Sequence, residues 1–171
     1  MKVLFIGGTG NLSTPLSEMA IARDLYHLNS GRKDPIIGVK NLVADIENIL
    51  ETENALKSHE LDVVVKGIAY TPEQVQIDIN RFKNKTRQYV FICSASCFEK
   101  PTTNYMITES TPLKNPHWQY FRDKITCEHL LAKGFREQNL PITIIRPSHT
   151  YYSVFPLFLG GRTEFNVVDR K

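Results

Sequence analysis

Met1-Lys2-Val3-Leu4-Phe5-Ile6-Gly7-Gly8-Thr9-Gly10-Asn11-Leu12-Ser13 is the stretch whose reading decides the fold. An apolar run breaks into glycines where a strand has to turn sharply into a helix. Glycines at such a turn let the backbone approach a pyrophosphate, while the free N–H groups and the helix N-terminus supply positive potential. Gly7, Thr9, Gly10, Asn11 and Leu12 are therefore candidate phosphate-loop residues. Ser13 stands where a third glycine would permit close helix–strand packing, and serine is small enough that the helix stands only slightly farther off. The plainer alternative is an ordinary glycine turn. Its place as the first strand-to-helix junction favours the nucleotide reading.

Working outward, short β-rich runs alternate with helix-like stretches, the pattern of βαβ units closing a parallel sheet. Strands are expected at Val3–Ile6, Leu25–Leu28, Asn41–Val43, Asp62–Val65, Tyr89–Ile92 and Ile142–Ile145. Their continuous apolar character suits strands covered on both faces. Thr71-Pro72-Glu73-Gln74 has capping-box spacing with proline at the first helical position, and Val75, Ile79 and Phe82 follow on one face. A second helix is expected from about Pro116 to Gln138. The connection Ala22-Arg23-Asp24-Leu25 is tight and lacks the glycine that commonly ends a helix. The fold expected is α/β, a doubly wound parallel sheet of about six strands with flanking helices.

The chain has 171 residues, of which 42% are hydrophobic, enough for one domain with a real core. Twenty-one Lys and Arg against 18 Asp and Glu give a net charge of +3, short of the basic footprint of a dedicated nucleic-acid binder. Cys93, Cys97 and Cys127 form no Cys-x-x-Cys pair and fit a reducing compartment. The first apolar run ends too soon for a signal-peptide core or a membrane span, so a cytoplasmic protein with no membrane contact is expected. His27, His59, His117, His129 and His149 show no paired spacing, and no metal site is expected.

An acid for ribose hydroxyls is usual at the end of the second strand, about 20 residues beyond the glycine loop. Here Asn29-Ser30-Gly31-Arg32-Lys33 occupies that place. The missing carboxylate, with cations just beyond, favours a 2′-phosphate on Arg32 and hence NADP over NAD; a solvated turn is the alternative. Asp45, with Ile46 beside it, either faces an adenine or begins the next helix. Ser94 ends the fifth strand, where open α/β sheets bind ligands, or is a turn serine bonded to its own backbone. Tyr120 and Lys124 stand at i and i+4 on one helical face. A nearby cation favours the phenolate, which would bring the tyrosine toward a general acid/base role near neutral pH. Arg81, Lys83, Lys85 and Arg87 gather around a helix end, either to stabilise its C-terminus in solvent or to meet a nucleic acid. Tyr89 could stack a base, but its place at a strand start favours the core.

The ordered set of Gly7 and Gly10, Ser94, Tyr120 and Lys124, then Ile145-Arg146-Pro147-Ser148, resembles the short-chain dehydrogenase/reductase superfamily. More narrowly it is similar to the NAD-dependent epimerase/dehydratase family, of the extended or atypical type. The resemblance implies a Rossmann-type fold over residues 1–150. It implies that Ser94 and Tyr120 hydrogen-bond a substrate oxygen, and that Lys124 binds the nicotinamide ribose and lowers the tyrosine pKa. Ala69, in the turn Gly67-Ile68-Ala69, and Pro147 would join the cofactor-binding residues. Family members continue for a hundred or more residues into a substrate-binding portion, so the apolar segment 151–171 reads as the start of a truncated one. An NAD(P)-dependent oxidoreductase or isomerase of the epimerase/dehydratase type, acting on a nucleotide sugar or similar hydroxylated small molecule, is expected, as a homo-oligomer. A catalytically idle dinucleotide-binding or redox-sensing module, or an RNA-binding relative, is the alternative.

Overall fold

The computed structural model describes residues 1–8, 13–21, 24–31, 36–148 and 150. Six strands, β1 (Lys2–Ile6), β2 (Asp24–Asn29), β3 (Lys40–Val43), β4 (Val63–Lys66), β5 (Gln88–Ile92) and β6 (Ile142–Ile145), form one sheet in the order β3-β2-β1-β4-β5-β6. Every neighbouring pair is parallel; Leu4, for example, lies opposite Tyr26 on one side and Val64 on the other. This is the Rossmann-type α/β fold, and its strand order reverses between β1 and β4, where such sheets bind ligands beyond the strands' carboxyl ends. All six expected strands are present, with ends differing by at most one residue.

Among the described residues the helices are α1 (Ser13–Ala20), α2 (Ile49–Leu56), α3 (Pro72–Phe82) and α4 (Gln119–Gln138). The α3 start follows its sequence: Thr71 and Gln74 form a full capping box with Pro72 in the first turn. The α4 helix begins three residues later than expected, because Trp118 stays extended at its N-cap. It ends at Asn139, which takes the left-handed conformation that Asn tolerates better than most residues. The main core gathers Leu4, Ile6, Val64 and Phe91 from the sheet, Val75, Ile79 and Phe82 from α3, and Cys127 and Leu131 from α4. A smaller cluster of Val3, Phe5, Leu25 and Val39 covers the opposite face.

Helix α1 turns serines inward. Ser13 and Ser17 are its buried residues, while Met19 is largely exposed. Ser17 Oγ donates to the Ser13 carbonyl at 2.7 Å and lies 2.7 Å from Nε2 of His27 on β2. Small polar residues let this helix ride close over the start of the ligand edge.

Candidate active site

The carboxyl edge of the sheet is built first from close backbone approach. Gly7 turns at φ 81°, and a Cβ there would stand 2.7 Å from the Ile68 side chain. Gly67 donates its N–H to the Ile6 carbonyl at 3.0 Å, and a Cβ on it would come within 3.3 Å of that oxygen and of Ser13 Oγ. The small residue that helix packing demands here is thus met by Gly67 opposite Ser13. Gly8 lies against the buried ring of His27, where a Cβ would sit 2.6 Å away. Burial pulls the His27 pKa below its ordinary value, and its Nδ1 has no partner among the described residues. Ala69, wholly buried, closes the turn after β4.

At the ends of β2 and β3 the polar side chains make local bonds. Asn29 Nδ2 donates to Asn41 Oδ1 at 3.1 Å and its Oδ1 accepts from the Gly31 N–H at 2.8 Å. Asp45 Oδ1 accepts the Glu47 N–H at 3.0 Å, and its carbonyl accepts from Thr52 Oγ1 at 2.9 Å. It therefore organises the approach to α2, whose N-cap is Asn48. Ile46 packs against the main core. Thr9, Gly10, Asn11, Leu12 and Arg32, together with His149 and the segment 151–171, lie outside the described residues.

Beyond β5, Ser94 caps a short 3₁₀ turn, Ala95–Cys97, and its Oγ accepts the Ser96 N–H at 3.2 Å. The Ala95 N–H donates to the Pro147 carbonyl at 2.9 Å, which brings Pro147 beside the serine turn. Helix α4 carries Tyr120 in its first turn and Lys124 one turn later. Lys124, 2% exposed, donates from Nζ to the Ile92 carbonyl at 2.9 Å. That ammonium also lies 4.7 Å from the ring centre of Phe91, 5.7 Å from Tyr70 and 5.9 Å from Tyr120. The aromatic faces and one carbonyl hold a buried cation.

The electrostatics differ from the simple expectation for a tyrosine with a nearby cation. Tyr120 is pushed up to about 12, chiefly by burial and then by neighbouring Tyr70, 6.1 Å away ring to ring. Lys124 is itself lowered by burial, and its hydrogen bond goes to Ile92. Beneath the pair lie three buried thiols: Cys93 and Cys97 with sulfurs 3.4 Å apart, and Cys127, pushed up to about 11 by burial.

Residues 79–154 match the sequence profile of the NAD dependent epimerase/dehydratase family. Over that stretch the chain is similar to the epimerase/dehydratase family. No curated protein matches it in sequence. Among solved structures it is similar to dTDP-glucose 4,6-dehydratase from Bacillus anthracis in complex with NAD, at 15% identity and a TM-score of 0.73, over 85% of this chain and 54% of that one. UDP-glucose 4-epimerase from Thermus thermophilus, also with NAD, gives 19% identity, a TM-score of 0.73 and the same coverages, 85% and 54%. A GalE-like L-threonine dehydrogenase from Cupriavidus necator gives 11%, 0.74, 85% and 54%. The chain spans about half the length of these solved structures.

Three groups escaped the sequence reading. Tyr70 sits against both Tyr120 and Lys124. Glu128 on α4 holds Arg146 with two bonds, 2.9 and 2.6 Å, while Arg146 lies over Phe98. Lys66 at the end of β4 pairs with Asp78 of α3 at 2.8 Å, both almost fully buried. Asp78 was legible in principle, since it shares the apolar face of Val75, Ile79 and Phe82. Arg81 corrects an expectation: it is 7% exposed and faces Asp78 at 3.4 Å instead of solvent. Tyr89 is core, donating to Asp78 at 2.8 Å. Among the described residues no cluster could hold a metal ion, and no helix is long and apolar enough to cross a membrane.

Proposed function

We propose that residues 1–150 form the NAD(P)-binding domain of an oxidoreductase or isomerase of the epimerase/dehydratase type. Its substrate is a nucleotide sugar or a similar hydroxylated molecule, and residues 151–171 begin the substrate-binding portion. The observation that carries the reading is Lys124, one helical turn from Tyr120 and bonded to the carbonyl two residues before Ser94. The switch point fits a dinucleotide, because Gly7 turns there without a side chain at positive φ. The glycine loop would hold the pyrophosphate, Asn29 and Arg32 the ribose or its 2′-phosphate, and Asp45, Ile46 and Ala69 the adenine side. When bound, the nicotinamide supplies or accepts hydride at its C4.

The protein's own residues handle the proton. With its pKa raised to about 12, Tyr120 is a phenol at neutral pH and stands ready to donate to a developing alkoxide. Working as a base requires the Lys124 ammonium to favour the phenolate more strongly, which means giving up part of its bond to Ile92. Ser94 would share the substrate oxygen after releasing the Ser96 N–H. That both Ser94 and Lys124 already have internal partners favours, as a second reading, a dinucleotide-binding module without turnover.

Fluorescence titration with NADH and NADPH tests the reading. Saturable binding is expected, with NADPH tighter by about tenfold, or about 1.4 kcal/mol. Absence of binding by either would refute it; equal affinities would remove Arg32 from the 2′-phosphate.

A further inference from the structure

The thiols at the carboxyl end of β5 have no part in the proposed chemistry. Cys93 and Cys97 are both free, and their sulfurs are in contact at 3.4 Å. Ser94, Ala95 and Ser96 bring them together by turning the chain back in the 3₁₀ step after the strand. That turn is held from two sides, by the Ser96 N–H on Ser94 Oγ and by the Ala95 N–H on the Pro147 carbonyl. Cys97 Sγ also lies 4.0 Å from the Phe121 carbonyl of α4, to which it donates.

A thiol reacts as its thiolate, and this pair is arranged to carry one negative charge. Cys97 is held below its ordinary pKa, chiefly by the hydrogen bond from Cys93 and also by the Lys124 ammonium. The same bond, together with burial, holds Cys93 above its own. Glu128 works against the charge, but its carboxylate is already engaged by Arg146 at 2.9 and 2.6 Å. Such a pair titrates as a unit, so one proton moving between the touching sulfurs puts the anion on either of them. Cys93 is the member that meets solvent: it is 5% exposed, whereas Cys97 is wholly buried.

We propose that Cys93 and Cys97 form an oxidative modification site, a thiol pair that a hydroperoxide converts to a disulfide at the end of β5. The site goes beyond the dinucleotide reading and does not depend on it. The Cys93 sulfur attacks the peroxide: an S–O bond forms, the O–O bond breaks, and the thiol proton leaves on the departing oxygen, as water when the oxidant is hydrogen peroxide. The Cys97 sulfur then attacks the Cys93 sulfenic acid. The S–S bond forms, the S–O bond breaks, and hydroxide leaves with the Cys97 proton as water. Two thiols give up two electrons, and the peroxide takes them. Disulfide sulfurs stand about 2 Å apart, so a small closing movement of the turn completes the bond. The bridge closes a ring through Ser94 and fixes the segment from which that hydroxyl projects.

Treatment of the intact folded protein with hydrogen peroxide, then unfolding in an alkylating agent and digestion with trypsin, tests the proposal. Trypsin leaves Cys93 and Cys97 on one peptide, 88–114, because Lys100 precedes a proline, and puts Cys127 on another, 125–133. Peptide 88–114 is expected to lose two hydrogens and both of its alkylation sites, and to regain them with dithiothreitol. Cys127 is expected to remain alkylated. Cys93→Ser and Cys97→Ser should each abolish the loss of two hydrogens, and the peptide map of the parent decides the matter if either variant fails to fold. Both cysteines still alkylated after peroxide, a sulfinic acid in place of the bridge, or a bridge that reaches Cys127 would overturn the proposal. So would a bridge that forms only when peroxide is added to urea-unfolded protein.

Discussion

Replacing Asp78 by asparagine keeps the volume and an acceptor for the Tyr89 hydroxyl, but strips the carboxylate from between Lys66 and Arg81. All three charged side chains are at most 7% exposed, so water cannot take over the compensation. Breaking a buried pair by removing one partner typically costs about 3–5 kcal/mol. For a chain of this length each kcal/mol moves the melting temperature by about 2–4 °C, so a fall of about 6–20 °C is expected. Urea unfolding should show the loss as a lower midpoint with an unchanged slope. Lys66→Met is the informative comparison: it removes one of two cations and leaves one charge of each sign, so it should cost clearly less than Asp78→Asn. Lys40→Met is the second control. Its bond to Asp24 is shorter, 2.6 Å, yet the two side chains are 59% and 43% exposed, and the unfolding curve should stay in place. If Asp78→Asn costs no more than Lys66→Met, the reasoning from charge count inside the sheet is wrong.

Tyr120→Phe should lower turnover by about 10²–10⁴-fold with cofactor affinity nearly unchanged, read by steady-state kinetics on a chain that carries its substrate portion. Lys124→Met should weaken both turnover and NADH binding; an intact activity in either variant refutes the proton-transfer assignment. The lowered pKa of His27 means that below about pH 6.5 the unfolded chain takes up a proton that the folded chain resists. Stability should therefore fall as pH drops from about 6.5 toward the folded value, and His27→Gln should flatten that slope in chemical denaturation at several pH values. Gly7→Ala combines positive φ with a contact of 2.7 Å to Ile68, and should cost about 1–3 kcal/mol by the same measurement.

The strands were legible because each β-rich run is short, continuous and bounded by turn residues, and α3 because its capping box lies in four consecutive letters. Helix α2 left a fainter mark, Asn48 three residues before Glu51, whose N–H its side chain caps. The spacing of Tyr120 and Lys124 was readable as a shared helical face. What the ammonium does there was not, because Ile92 is 32 residues away in sequence and backbone carbonyls leave no trace in a side-chain pattern. The inward turn of Arg81 was hidden for a similar reason: in sequence it sits among exposed cations. Only the contact of α3 with the sheet brings it to Asp78 and Tyr89. Buried charge is a property of tertiary approach, and a charged letter in a linear string reads as surface by default.

The bond from Lys124 to Ile92 also has a mechanical meaning. It joins the helix that carries one candidate hydroxyl, on Tyr120, to the strand that ends at the other, on Ser94. A single strut of 2.9 Å thus braces the gap between the two elements from which those hydroxyls project. Any ligand that draws the ammonium away slackens the brace as it docks, so that occupancy and the freedom of helix against strand rise together.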